Sequence, residues 1–300
     1  MAPPSKLRIG FIPEHFSTPL HFAQKHYGLE AELIPFPTGT GALVSGLKSS
    51  DPNTPQIDVA IGLTEGFVAD LGKAKAAGDK PGYGLVGTYV DSPLCWAIST
   101  GAKRDNIKSV EDLKNSRVGV SRIGSGSYVM SFVLADKHGW LDTSSSKDPF
   151  EVIPIGDFKA LRDAVNGDKA EFFMWEHFTT KHFWDIGEIK RIGEIYTPWP
   201  SWMVTAKEGH DEAVRDLTAK LDLGVKHYLE HPEEAVDHIT STMQYSKEDA
   251  REWMKTVKFS GKVSGVEAKT VDDTVAVLRK AGVLKDDSGG SEHMILVKKD

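Results

Sequence analysis

The feature that most constrains this chain is its alternation between short apolar runs and longer segments with helical spacing. Residues 7–11, 33–36, 59–63, 85–90 and 94–99 have the length and apolar content of buried strands. Segments 19–26, 41–49 and 65–77 fall between several of them and have helix-forming composition. The middle of the chain repeats the rhythm with strands at 118–120, 152–155 and 171–175 and helices at 127–138, 158–166 and 176–184. Such alternation predicts α/β layers with largely parallel sheets. With 300 residues the chain is long enough for two domains of modest size.

The last third changes character. Segment 211–231 places Val214, Leu217, Leu221, Val225 and Tyr228 on one helical face. Pro232 suits the first position of a following helix. The run from Ser246 to Asp249 has the form of a capped helix start, and a helix over 269–281 is stopped by Gly282. The tail is a polar link followed by a short apolar run, which reads either as an edge strand or as a frayed end.

Two stretches read as crossings between halves: "GTYVDSPLCW" at 87–96 and "EIYTPWPSWM" at 194–203. If both cross, residues 92–198 form a second α/β lobe inserted into a first lobe made of 1–91 and 199–300. Two connecting segments would then form a hinge that permits closure. The alternative is that both are surface loops.

Small residues gather where strands are expected to end. Thr38-Gly39-Thr40-Gly41, Gly62-Leu63-Thr64-Glu65 and Gly124-Ser125-Gly126-Ser127 each follow a strand and open a helix. Ligands of open α/β sheets bind beyond the carboxyl ends of strands. Helix N-termini offer free N–H groups and partial positive charge to an anion. A carboxylate, sulfonate or phosphate could be held there without arginine. Each turn also reads as an ordinary helix cap; it is the presence of three that points to a ligand. Glu14-His15 and Glu176-His177 sit at strand ends, where they could serve acid–base chemistry, a ligand hydrogen bond or solvent. Phe16, Tyr128 and Trp175 adjoin these positions, and Trp199 and Trp202 lie in the second crossing. Core packing is expected for Trp140, Trp184 and Trp253; for Trp175 packing and ligand contact both stay open.

Several classes are excluded or disfavoured. The net charge of −7 argues against a nucleic-acid partner. The single cysteine, Cys95, permits no internal disulfide and reads as a buried, inert thiol. The chain has no G-x-x-x-x-G-K-[ST] loop, no full dinucleotide fingerprint, no G-x-S-x-G elbow and no H-E-x-x-H pair among its 11 histidines. His177 and His182 are poorly spaced to share a helix face, so no metal and no cofactor are expected. No run approaches the roughly 18 apolar residues of a membrane span. The amino terminus shows no secretory leader, which predicts a soluble, cytoplasmic protein.

The run "ELIPFPTGTGALVSGLKSSDPNTPQIDVAIGLTEGFV" resembles a pattern of type II periplasmic binding proteins. "IKSVEDLKNSRVGVSRIGSGSYVM" is similar to their second-domain entry, "ALRDAVNGDKAEFFMWEHF" to their "AL-nG-vDA---WEPF" segment, and "YLEHPEEAVDHI" to a later motif. The ordered set spans residues 7–255 and lies nearest the aliphatic-sulfonate and thiamin-precursor binding proteins and the fungal thiamin-pyrimidine synthases. The resemblance implies a two-lobed α/β fold that closes around a small molecule. By position it implies that Thr38, Gly39, Thr40, Thr64, Glu65, Ser125, Ser127, Trp175 and Glu176 line the cleft, with residues near 13–16 and Ser92 as looser matches. Gly126, Tyr128, Glu14, His15, Phe16 and His177 complete the candidate ligand-binding set.

Two departures shape the functional expectation. Transport relatives usually carry an export leader. Synthase relatives carry a cysteine-rich stretch and a lysine for pyridoxal phosphate; here Cys95 stands alone and Thr64 occupies the lysine's place. The expectation is therefore an intracellular binding protein for a small anionic or zwitterionic ligand, a pyrimidine-like one included. It would have no catalytic residues, cofactor, membrane insertion or transporter partner. The turns at 125–127 and 38–41 would hold the acidic end, Trp175 the apolar part, and Glu65 or Glu176 an N–H. The alternatives are an enzyme of thiamin-precursor or related metabolism, using Glu14, His15 or His177, and an exported transporter component whose leader is absent.

Overall fold

The computed structural model describes residues 6–141 and 149–299. In chain order it begins with β1 (Leu7–Phe11), α1 (Thr18–Tyr27), β2 (Ala31–Pro35), α2 (Thr40–Lys48), β3 (Val59–Leu63), α3 (Thr64–Ala77) and β4 (Tyr83–Val90). There follow β5 (Cys95–Gly101), β6 (Arg117–Val120), α4 (Gly126–Lys137), β7 (Glu151–Pro154), α5 (Phe158–Asn166), β8 (Phe172–Glu176), α6 (His177–Asp185) and β9 (Ile189–Tyr196). The chain ends with β10 (Trp202–Lys207), α7 (Asp211–Glu230), α8 (Pro232–Thr242), α9 (Lys247–Thr256), α10 (Ala268–Lys280) and the short α11 (Ser291–Met294).

The chain divides into two compact units. The first comprises Met1–Ser92, Trp199–Val275 and Lys285–Asp300; the second comprises Pro93–Pro198 and Ala276–Leu284. Each unit has one five-stranded sheet, ordered β2-β1-β3-β10-β4 in the first and β7-β6-β8-β5-β9 in the second. The two orders describe the same topology. Three parallel strands are followed by a strand antiparallel to both of its neighbours. The expectation of largely parallel sheets therefore needs correction. β10 and β5 each run against the strands on either side, which makes half of the pairings antiparallel.

The division also differs from the expected boundaries in two places. Ser92 belongs to the first unit because its backbone N–H and side-chain oxygen bond to Lys258, while its carbonyl accepts from Ser201. Residues 276–284 fall with the second unit, where Lys280 forms an ion pair with Asp136 of α4.

The same device fixes the entry to each sheet. Arg8 on β1 donates twice to Asp58, at 3.0 and 2.6 Å, and the Arg8 backbone N–H adds a third bond. Arg117 on β6 repeats the arrangement with Glu171, at 2.9 and 2.6 Å. In both cases a forked guanidinium clamps the carboxylate that precedes the next parallel strand. Helix α7 buries Val214, Leu217, Leu221, Val225 and Tyr228, the face expected from its periodicity. The apolar tail is not frayed; it pairs with the edge strand β4 through an isolated parallel bridge between Ile295 and Leu85 rather than a full strand. Leu296 donates to the Leu85 carbonyl at 2.8 Å, Val266 donates to Val297 at 3.0 Å, and Met294 is buried.

Candidate functional site

In the first unit the carboxyl ends of β1, β2 and β3 lie in register at one edge of the sheet, with Phe11 opposite both Pro35 and Ile61. β10 starts at the same edge, since Trp202 pairs with Leu63. This edge brings together the segments that carry Glu14, His15, Phe16, Thr38, Gly39, Thr40, Thr64, Glu65 and Trp199. Gly39 precedes α2 at φ 87°, a left-handed conformation that glycine adopts without strain. Thr38 is exposed, whereas Thr40 is buried and its hydroxyl oxygen accepts from the Leu63 N–H at 3.0 Å. Thr64 is also spent internally, donating to the Pro200 carbonyl at 2.5 Å.

Glu65 is the exception among these polar groups. It lies in the first turn of α3 and is only 1% exposed. Its Oε2 accepts from the Trp199 indole N–H at 3.1 Å. Its Oε1 is buried without a hydrogen-bond partner among the described residues. Burial pushes the carboxyl up to about 7, opposed by the residue's own backbone N–H and by Trp199. The group thus sits near the midpoint of its titration at neutral pH, able to donate or accept.

His15 and Phe16 are packed rather than presented. The His15 ring lies 4.1 Å from Trp253 and 4.7 Å from Tyr245, and Phe16 stacks on Trp202 at 4.8 Å. Both residues are buried. The Glu14 carbonyl accepts from the Ser17 hydroxyl and N–H, ordering the turn between β1 and α1. Ser92, the candidate after β4, has its polar groups on Lys258 and Ser201 as described above.

In the second unit the turn after β6 leads directly into α4. The Ser125 hydroxyl caps the helix by accepting from the Tyr128 N–H at 3.3 Å. It lies 3.0 Å from the Ser127 hydroxyl, which in turn accepts from the Ser121 N–H. The capping and ligand readings therefore coexist: the serines build the turn, and Gly126 stands at its first helical position. Arg122 and Ile123 in the same turn are exposed. Tyr128 is buried and packs edge-on against Phe132.

The end of β8 is more committed than the sequence suggests. Glu176 caps α6, its Oε2 accepting from the Thr179 N–H at 2.6 Å, so it is first of all a helix cap. Trp175 is half-buried and stacked on Phe158 at 5.1 Å, beside the core residues Leu161, Val165 and Phe173. Trp253 is buried as expected, while Trp140 and Trp184 are only half-buried. His177 opens α6 and faces Cys95 and Glu194.

Two partners escaped sequence reasoning. Trp199 completes Glu65 from 134 residues away, and Glu194 reaches His177 from the far side of β5. Neither contact leaves a local pattern. The only available signals were the aromatic residue in the second crossing and the isolated cysteine.

Two sheets of this order, joined as they are in the chain, define a type II periplasmic-binding-protein-like fold. A family model described as "Ca3427-like PBP" matches residues 96–195. The chain is 39% identical to the CA3427 gene product of Candida albicans. That match covers 99% of this chain and 98% of that one, at a TM-score of 0.84. This chain belongs to the family that the CA3427 product defines, one with the generic periplasmic binding protein fold. The fold is shared with the alkanesulfonate-binding protein SsuA of Xanthomonas axonopodis pv. citri, solved with MOPS bound, at 13% identity, 98% and 99% coverage and a TM-score of 0.74. The periplasmic aliphatic sulphonate binding protein SsuA of Escherichia coli matches at 15% identity, 99% and 94% coverage and a TM-score of 0.70. No curated protein sequence matches.

Proposed function

We propose that this protein binds a small zwitterionic solute, taking its amine or ring N–H at Glu65 and its acidic group at the 125–127 turn. The observation that carries the reading is the Glu65 carboxyl: buried, anchored on one oxygen by Trp199 and without a partner on the other. A buried polar atom left without a bond costs on the order of 1–3 kcal/mol, and a donor from a ligand would recover it. The N-terminus of α4 and the exposed Arg122 favour an anion. The fold neighbours that bind sulfonates support the acidic half of the solute. A ring such as an aminopyrimidine meets the same donor requirement. The reading places the protein inside the cell. Recovery in the cytosolic fraction is the expected outcome of cell fractionation.

Isothermal titration with 2-aminoethanesulfonate, ethanesulfonate and an aminopyrimidine carboxylate tests the reading. The amine-bearing solutes are expected to bind, and Glu65→Gln is expected to weaken them by about tenfold or more. Ser127→Ala should weaken the same solutes. If the two variants each affect a different solute, or if no member of the series binds, the proposal fails. Product analysis of the same mixtures is expected to return the solute unchanged.

A further inference from the structure

At the start of β5, three side chains with metal-ligating atoms converge from three different elements. Cys95 comes from β5, His177 from the first position of α6 and Glu194 from β9. Cys95 Sγ lies 3.7 Å from His177 Nδ1 and 3.8 Å from Glu194 Oε2. His177 Nδ1 and Glu194 Oε2 are 3.7 Å apart. We propose that Cys95, His177 and Glu194 form a site for a thiophilic divalent cation such as Zn²⁺.

The triangle has the dimensions such an ion requires. With metal–ligand distances of about 2.0–2.3 Å, neighbouring donors of a tetrahedral site lie about 3.4–3.6 Å apart. The three donors need to move by only a few tenths of an ångström. They are too far apart for strong mutual hydrogen bonds and close enough to share one ion. A thiolate, a neutral imidazole and a carboxylate balance the charge of a divalent cation. Three protein ligands leave a fourth position for water or an anionic group.

The surroundings fit as well. The Tyr196 hydroxyl donates to Glu194 Oε1 at 3.2 Å and orients the carboxylate, as outer partners of metal ligands do. The Arg191 guanidinium pairs with Glu194 Oε2, and its side chain is 40% exposed, with room to withdraw as a cation enters. The cluster is open to solvent, since the side chains of His177 and Glu194 are 20% and 36% exposed. The other group of this kind among the described residues, His26, His227 and Glu234, does not fit an ion. Both histidines are hydrogen-bonded directly to the carboxylate, at 2.8 and 2.9 Å, and the Lys25 ammonium lies against it too.

Cys95 would ligate as a thiolate, so binding expels the thiol proton and affinity is expected to climb as pH rises. The site does not depend on the solute proposed above.

The full-length protein can be titrated with Co²⁺, because a thiolate ligand gives cobalt a sulfur charge-transfer band. One equivalent, with that band, is the expected result. Cys95→Ser should abolish the band, while His177→Gln and Glu194→Gln each weaken Co²⁺ by tenfold or more. Since Cys95 is the only cysteine, alkylation of the unmutated protein reports on it alone. Zn²⁺ should slow that alkylation at least tenfold, and His227→Asn should leave the protection intact. Cobalt binding without the band, or alkylation indifferent to Zn²⁺, would overturn the site.

Discussion

Folding removes the Glu65 carboxyl from water and so raises its affinity for a proton, and that has a consequence for stability. Its folded pKa of about 7 lies above the ordinary 4.5. The folded state therefore binds this proton more tightly than the unfolded state. The contribution is fully present below about pH 4.5, declines as pH rises, and is lost once pH passes 7. Over that window it amounts to about 3 kcal/mol. Glu65→Gln keeps the shape and cannot ionise. The stability of the variant relative to wild type is accordingly expected to grow from pH 4.5 to pH 7, as measured by urea midpoints. His21 acts in the opposite direction. Burial, together with the charge of His238, holds its pKa at about 4, below the ordinary 6.5. Its contribution is present above pH 6.5 and lost as pH falls through 4. Wild type thus carries two opposed slopes between pH 4.5 and 6.5, and Glu65→Gln should uncover the acid-side loss due to His21. A constant difference between variant and wild type across the window would mean that Glu65 is ionised in the folded protein.

Among the elements, α7 packs on α1 at a glycine that leaves no room for a side chain. A Cβ added at Gly224 would lie 2.2 Å from the Pro19 carbonyl oxygen, and a main-chain atom cannot rotate away. Gly224→Ala must push the helices apart, so it is expected to lower stability by roughly 1–3 kcal/mol in denaturant unfolding. Gly28→Ala, where no atom lies within 4 Å, calibrates the cost of backbone strain alone. The same contrast explains what the sequence could disclose. Helix α7 was legible because its apolar face recurs with the helical period, and the start of α9 because Ser246 caps it locally by accepting from the Asp249 N–H. The turns at 38–41 and 124–127 were legible because glycine and hydroxyl residues are needed there by local geometry. The antiparallel course of β10 was not, because strand direction depends on where a distant segment returns. Neither was the fate of the polar groups at the candidate site. Thr40, Thr64, Ser92 and Glu176 look available in sequence and are consumed by partners 23, 136, 166 and 3 residues away. What distinguishes Glu65 is a bond that is not made, and no local pattern encodes that.

For the whole molecule the relevant quantity is charge. At −7 the protein repels an anion at long range, so any anion it binds must be held by local groups. Salt screens the long-range repulsion, with a Debye length that falls from about 30 Å at 0.01 M to about 8 Å at 0.15 M. Short contacts in a buried site are screened far less. These two facts separate the kinds of solute. A purely anionic solute such as ethanesulfonate should bind more tightly as salt rises over this range, because its approach is opposed by the net charge. A zwitterion carries no net charge and meets no such barrier, so its affinity should stay nearly constant. Titrations of both solutes at the two ionic strengths measure the difference directly. A zwitterion that weakens steeply with added salt would show that its affinity comes from exposed charge pairs, and the assignment of its amine to the buried Glu65 carboxyl would then be wrong.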